Sequence, residues 1–348
     1  MPRFESSTPS QRRKPDVYPT SGSSFLPCYN PITMILVTGG TGFIGQALVR
    51  NLVEAGQPVR TLIRPSITTP NLPQGVPVEV ALSSLNDERS LRAAMVGVDI
   101  VYHLAGVEHR GAYENLEEVY IRCTRAVVQA AADARVERIF YVSHLGADRA
   151  SAYPVIKAKG IAEEFIRRSG LDFTILRSAI VYGPQDGFTT GLVRLLHGLP
   201  YVFLIPGDGK TLLQPLWVED LVTCLAWALD DDTTSNETYE LGGPEYFTFN
   251  QLLELLMQVT NVHRRLVHTR PPYVRWLTIF LEALLPGLPS STYWLDYLAI
   301  NRTCALDTVP RVFNLMPARM SQRLEYLKNL DWRRSMYRDL IRRRRVVS

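Results

Sequence analysis

From Met34 to Glu54 the chain runs from a short apolar stretch, Met34 to Val37, through Thr38-Gly39-Gly40-Thr41-Gly42-Phe43-Ile44-Gly45 and into an amphipathic repeat, Phe43 to Glu54. This order of strand, glycine turn and helix constrains the fold more than any other segment. A helix that begins straight out of a glycine turn presents unbonded N–H groups and the positive end of its dipole, which suits a diphosphate. A side chain at Gly39 or Gly42 would obstruct that approach, and Gly45 lets the helix close on the strand. The spacing therefore predicts a dinucleotide held by Gly39, Thr41, Gly42, Phe43, Ile44 and Gly45.

Alternation continues beyond the turn. Strand patterns at Val59 to Ile63, Val78 to Ala81, Ile100 to His103, Ile139 to Ser143 and Phe173 to Arg177 are separated by helix patterns at Glu88 to Val96, Leu116 to Ala132 and Val155 to Ser169. Apolar strands interleaved with amphipathic helices predict an α/β fold, a doubly wound parallel sheet covered on both faces. Ligands of such sheets lie along the carboxyl ends of the strands. The dinucleotide-binding domain is expected over 34–185. A smaller, mainly helical region is expected over 186–331, with 214–245 returning to the sheet. Its helix patterns lie at Leu192 to His197, Leu221 to Leu229, Gln251 to Val259 and Tyr273 to Leu285, the last read as a core or interfacial helix. This region is expected to wall the substrate site.

Residues 1–33 lack periodicity, are rich in Ser, Pro, Thr and Arg, and read as a disordered extension. The net charge is +4, yet residues 332–348 hold seven Arg and one Asp, a contribution of +6, which leaves about −2 for the rest by subtraction. That distribution excludes a nucleic-acid-binding body. It leaves a basic tail, Arg342 to Arg345, suited to an anionic membrane surface or a protein complex. Cys28, Cys123, Cys224 and Cys304 are scattered without paired spacing, so neither a metal site nor a disulfide framework is indicated, and a cytoplasmic location, at most peripheral to a membrane, is expected.

The second strand pattern ends at Arg64 with no carboxylate, where an acid would bind the ribose 2′-OH and an arginine a 2′-phosphate. NADP(H) is expected over NAD(H), with Arg60 or Thr61 as helpers. Tyr153 and Lys157 stand four apart at a helix start and share one face. An ammonium beside a phenol favours its ionised form and can bind the nicotinamide ribose, so the tyrosine can act as a general acid. His103, His109 and His144 read as structural when taken singly. Asp220 reads as a helix cap, and Trp217, Trp227, Trp276 and Trp294 as core.

Over about residues 34 to 245 the chain resembles the short-chain dehydrogenase/reductase superfamily in its extended or atypical branch. The resemblance rests on the glycine turn, Val98 to Gly106, Tyr141-Val142-Ser143, the Tyr153/Lys157 pair, Leu176-Arg177, Val181 to Pro184 and Gln214 to Asp220. Within it, the likeness is to the subgroup of the nucleotide-binding accessory subunit of respiratory complex I and its bacterial relatives. It implies bound NADP(H), with Ala105 and Gly106 near the ribose, Ser84 and Leu85 near the adenine, and the stretch after Arg177 near the nicotinamide. It also implies hydride transfer to a small-molecule substrate, assisted by Tyr153, Lys157 and a polarising hydroxyl. Three positions depart from the pattern: Ser143-His144 replaces Ser-Ser, Tyr120 replaces a helix Asn, and Ser84 replaces an adenine-binding Asp. Cofactor binding is thus better supported than turnover. An oxidoreductase acting on an apolar substrate, with Tyr153, Lys157, Ser143 and His144 as catalytic residues, is weighed against a protein that holds NADP(H) as a structural part of a larger assembly.

Overall fold

Strands β1 (Ile35–Thr38), β2 (Val59–Ile63), β3 (Glu79–Leu82), β4 (Ile100–His103), β5 (Arg138–His144), β6 (Asp172–Ser178) and β7 (Glu237–Leu241) hydrogen-bond in the order β7-β6-β5-β4-β1-β2-β3. Every pairing in this sheet is parallel. The computed structural model describes residues 33–65, 72–73, 75–106, 116–285, 289, 291–328 and 330–336. The expected extension up to residue 32, His109 and the tail beyond residue 336, with Arg342 to Arg345, lie outside them.

Between β1 and β4 the winding reverses, because the chain builds outward to β3 and then returns to the other side of β1. A crevice opens at that switch, where crossovers on opposite faces diverge. Alternation along β1 supplies both faces. Ile35 and Val37 pack with Leu48 and Leu52 of α1 (Phe43–Glu54) and Leu221 of α6 (Val218–Trp227). Leu36 packs on the opposite side with Leu91 of α2 (Glu88–Ala94), Val127 of α3 (Cys123–Asp133) and Ile166 of α4 (Pro154–Arg167). Each fully buried aliphatic side chain of this kind contributes roughly 1.5–3 kcal/mol.

A second apolar layer gathers α5 (Thr189–Gly198), α7 (Phe249–Val259) and α9 (Thr292–Tyr297). Helix α8 (Pro271–Leu284) packs against α9 and follows a parallel two-stranded ribbon of Val202–Pro206 and Arg265–Thr269, while α10 (Thr308–Phe313) packs near β7. Thr248 caps α7 through a reciprocal bond with Gln251, which explains its sharp start.

Two expectations shift. The strand expected at Val78 to Ala81 forms one residue later as an exposed edge, where burial does not set its ends. The long helix expected from Leu116 opens instead with a π-type segment, Glu117–Arg122, in which the Cys123 N–H reaches the Glu118 carbonyl. That wide turn places Tyr120 wholly inside the protein.

Candidate functional site

At the β1–α1 turn the glycines divide by what each one meets. Gly39 has φ +76°, and a Cβ there would stand 2.7 Å from the Leu104 carbonyl carbon and 2.8 Å from the Ala105 nitrogen. A Cβ at Gly45 would come 2.1 Å from the Gly39 oxygen. Both are demanded by the chain's own backbone. Gly42 differs: its φ is an ordinary −80°, and a Cβ would meet only the Gly39 oxygen, at 3.2 Å. Gly42 is the N-cap of α1, no side chain caps that helix, and no acid lies in its first turn. The N–H groups of Phe43, Ile44 and Gly45 therefore face the crevice without a side-chain partner. Gln46 braces the turn by donating to the Thr41 carbonyl at 3.0 Å.

Around this turn the neighbouring strand ends present Arg64, Ser84, Leu85, Ala105 and Gly106. Arg64 is exposed and engages no ion pair or hydrogen bond among the described residues, though its charge opposes the burial that pushes the Cys123 thiol up to about 11. The helper role expected of Arg60 does not survive: its guanidinium is taken up by Glu79 at 2.8 Å and by the Ala94 and Val96 carbonyls at 2.7 and 2.8 Å. Thr61 is fully buried, with the Gly40 backbone over its methyl. The Ser84 hydroxyl accepts from the Asn86 N–H at 3.4 Å, Leu85 sits in the core, and Gly106 is exposed.

His103 closes the end of β4. One ring nitrogen bonds Thr38 at 2.7 Å and the other bonds Thr124 at 2.9 Å, tying β1, β4 and α3 together. Complete burial, reinforced by Lys159, pushes the imidazole from its ordinary 6.5 down to about 3. The ring thus stays neutral in the folded protein at pH values where an unfolded chain's histidine is protonated. Its contribution to stability is whole above pH 6.5 and is lost as pH falls toward 3, at about 1.4 kcal/mol per pH unit below 6.5. Urea unfolding at a series of pH values across that window should show the excess slope in the native protein and not in His103→Gln. Equal slopes would contradict a buried neutral ring.

Lys159 is a buried lysine of α4. It is 3% exposed, donates to the Val142 carbonyl at 2.9 Å, and places Nζ 4.8 Å from the Tyr120 ring centre and 5.1 Å from that of Tyr141. Lys157, by contrast, is exposed, and the hydrogen bond joining it to Tyr153 is the backbone one from the Lys157 N–H to the Tyr153 carbonyl at 2.9 Å. Tyr153 is half-buried at the N-cap of α4. The difference follows from helical spacing, since Val155, Lys159, Ala162 and Ile166 form the stripe that α4 turns inward and Lys157 falls off it.

On β5, Ser143 is fully buried with no partner for its hydroxyl among the described residues, and His144 hydrogen-bonds the Tyr293 hydroxyl at 3.1 Å beside the ring of Tyr297. Arg302, which the sequence did not single out, is 2% exposed, donates to the Leu145 carbonyl at 2.8 Å and lies 5.2 Å over the Tyr297 ring. Its other partners are aromatic, and Tyr153 lies within its electrostatic reach. Helix α9 thus turns Tyr293 and Tyr297 toward β5, while Trp294 and Leu298 line an apolar cavity of about 360 Å3 shared with α5 and α8. Asp220 accepts from the Ala318 N–H at 2.7 Å, fastening a distant loop where helix capping was expected. Trp217 and Trp294 are half-buried, but Trp227 and Trp276 are 47% and 69% exposed, against the expectation of core.

A family model described as NAD(P)H-binding matches residues 39–198. The mitochondrial NADH dehydrogenase [ubiquinone] 1 alpha subcomplex subunit 9 of Arabidopsis thaliana is 31% identical over 262 residues, covering 73% of this chain and 64% of that subunit. The chain thus spans slightly less than two thirds of that relative. Sterol demethylase protein B of Methylococcus capsulatus is 31% identical over 277 residues, covering 72% of this chain and 81% of the relative. Among solved structures, the triphenylmethane reductase of Citrobacter sp. complexed with NADP(H) superposes with a TM-score of 0.67 at 20% identity, over 84% of this chain and 98% of the reductase. That likeness bears on the fold. Among the described residues no helix is long and apolar enough to cross a membrane.

Proposed function

Because the chain belongs to the atypical and extended short-chain dehydrogenase/reductase superfamily, we propose that it binds NADP(H) in preference to NAD(H) and reduces or oxidises a carbonyl or hydroxyl group of an apolar substrate. One observation carries the reading. Gly42 has an ordinary φ, a Cβ there would meet a single atom, the Gly39 oxygen at a tight 3.2 Å, and it stands at the bare start of α1, so its missing side chain leaves room for a diphosphate. Arg64, just after β2, engages no ion pair or hydrogen bond among the described residues and suits a 2′-phosphate held by a charge-assisted, two-pronged hydrogen bond.

When bound, the cofactor supplies or accepts a hydride. The protein's own groups position and protonate. Lys159 is the ammonium we assign to the nicotinamide ribose, in place of exposed Lys157, because it alone of the two is buried against β5 and Tyr120. Tyr153 is the proposed proton donor to a substrate oxygen, with Ser143 or His144 hydrogen-bonding that oxygen. The cavity beside Trp294 would take the apolar body of the substrate, its volume of about 360 Å3 lying in the range of small-molecule sites. The name of the Methylococcus relative, a sterol demethylase protein, accords with a lipid-like substrate.

Calorimetric titration with NADPH and NADH tests the cofactor. Arg64→Ala should weaken NADPH roughly 10- to 100-fold, as loss of a hydrogen bond to a charged group costs about 1.5–3 kcal/mol, and NADH less than about twofold. Equal weakening of both would defeat the 2′-phosphate assignment. The similarity to complex I subunits favours a second reading, in which NADP(H) is a fixed structural part of a protein assembly. Cofactor that copurifies, fails to exchange over hours and is indifferent to Tyr153→Phe would select it.

A further inference from the structure

Helix α8 is apolar on two sides. Inward, Val274, Leu277 and Leu281 line the cavity shared with Trp294. Outward, Tyr273, Trp276, Phe280 and Leu284 are 65%, 69%, 50% and 57% exposed, and the Trp276 and Phe280 rings stack in parallel at 5.7 Å. These four positions repeat at three- and four-residue intervals and so form one continuous strip. Large aromatic groups concentrated on a single exposed strip are unusual for a surface that faces only water. The helix's one acid, Glu282, is buried and accepts from the Thr292 N–H at 3.1 Å.

Along the sequence that leads into and forms this helix the charge is mostly of one sign. Between Glu254 and Glu282 the sequence holds four arginines, two histidines and no carboxylate. Of those arginines Arg275 is matched by Asp296, whereas Arg264 donates to the Leu199 and His263 carbonyls and enters no ion pair among the described residues. Arg265 and Arg270 are exposed, and neither enters an ion pair among the described residues. The Arg265 N–H bonds the carbonyl of Tyr201, itself 84% exposed.

We propose that α8 is a membrane-docking helix, lying in the headgroup layer of an anionic bilayer with its aromatic strip inserted and its arginine rim on lipid phosphates. An amphipathic strip rimmed by uncompensated positive charge is the composition that binds such an interface. A second copy of the chain fits less well, since a twofold contact would set the same arginines against each other. The cavity behind α8 then opens beside the membrane, so an apolar substrate can pass between them without crossing water. That last consequence rests on the substrate reading above; the docking does not.

Flotation of the full chain with phosphatidylcholine vesicles, with and without phosphatidylglycerol, tests the docking. Binding is expected to vesicles containing phosphatidylglycerol, to fall at least roughly tenfold in the Trp276→Glu/Phe280→Glu double variant, and to persist when residues 337–348 are removed. Both substituted side chains are at least half exposed, and unchanged NADPH affinity in the variant certifies its fold and separates this test from that of the cofactor. No binding by the native chain, or loss on tail removal alone, would overturn the proposal. A dimer seen by light scattering that the double variant dissociates, without vesicle binding, would overturn it in favour of self-association.

Discussion

Gly42→Ala is expected to weaken NADPH binding at least about a hundredfold, close to 3 kcal/mol, while costing less than about 1 kcal/mol of folding stability. Gly45→Ala should do the reverse, losing about 3 kcal/mol or more of stability because its Cβ would press on a backbone oxygen at 2.1 Å. The two glycines lie three apart in one turn, yet on the proposed reading one serves the crevice and the other the chain itself. Urea unfolding and calorimetry on the same two variants separate these roles. If Gly42→Ala binds NADPH as the native chain does, the turn does not grip a diphosphate, and both functional readings fall together.

Lys159→Met should carry the second largest effect, lowering NADPH affinity roughly 10- to 100-fold through loss of a charged hydrogen-bond donor. The same change removes a positive charge that helps hold His103 near 3, so the imidazole should titrate at higher pH, which NMR of the ring protons reads directly. Lys157→Met should alter neither quantity beyond about twofold, because its ammonium lies in solvent. A larger loss from Lys157→Met than from Lys159→Met would restore the pairing of Tyr153 with Lys157.

What the sequence makes legible is what short-range chemistry decides. The glycine turn and the alternation of strand and helix rest on local periodicity, and the structure places them close to where that periodicity points. Lys159 was within reach of the same reasoning, since its four- and three-residue spacing to Val155 and Ala162 sets it in the inward stripe. Other features depend on partners far along the chain. Arg60 is claimed by carbonyls 34 and 36 residues away, His144 by a tyrosine 149 residues away, and Leu145 by Arg302 across 157 residues. No pattern within a helix or strand encodes such meetings. Trp276 shows the same limit in another form, because a helix apolar on two sides is suited equally to a core and to an interface, and only its neighbours decide between them.

The π-type segment at Glu117–Arg122 has a consequence for how this chain can vary in length. Such a turn spends one residue more than an α-turn over the same rise, so a single deletion inside it returns the backbone to regular helix without shortening the element that packs on the sheet. The ring of Tyr120 would swing aside and leave Lys159 with one fewer aromatic neighbour, the Tyr141 ring remaining. A one-residue gap here is therefore a mutation the scaffold absorbs and the site does not.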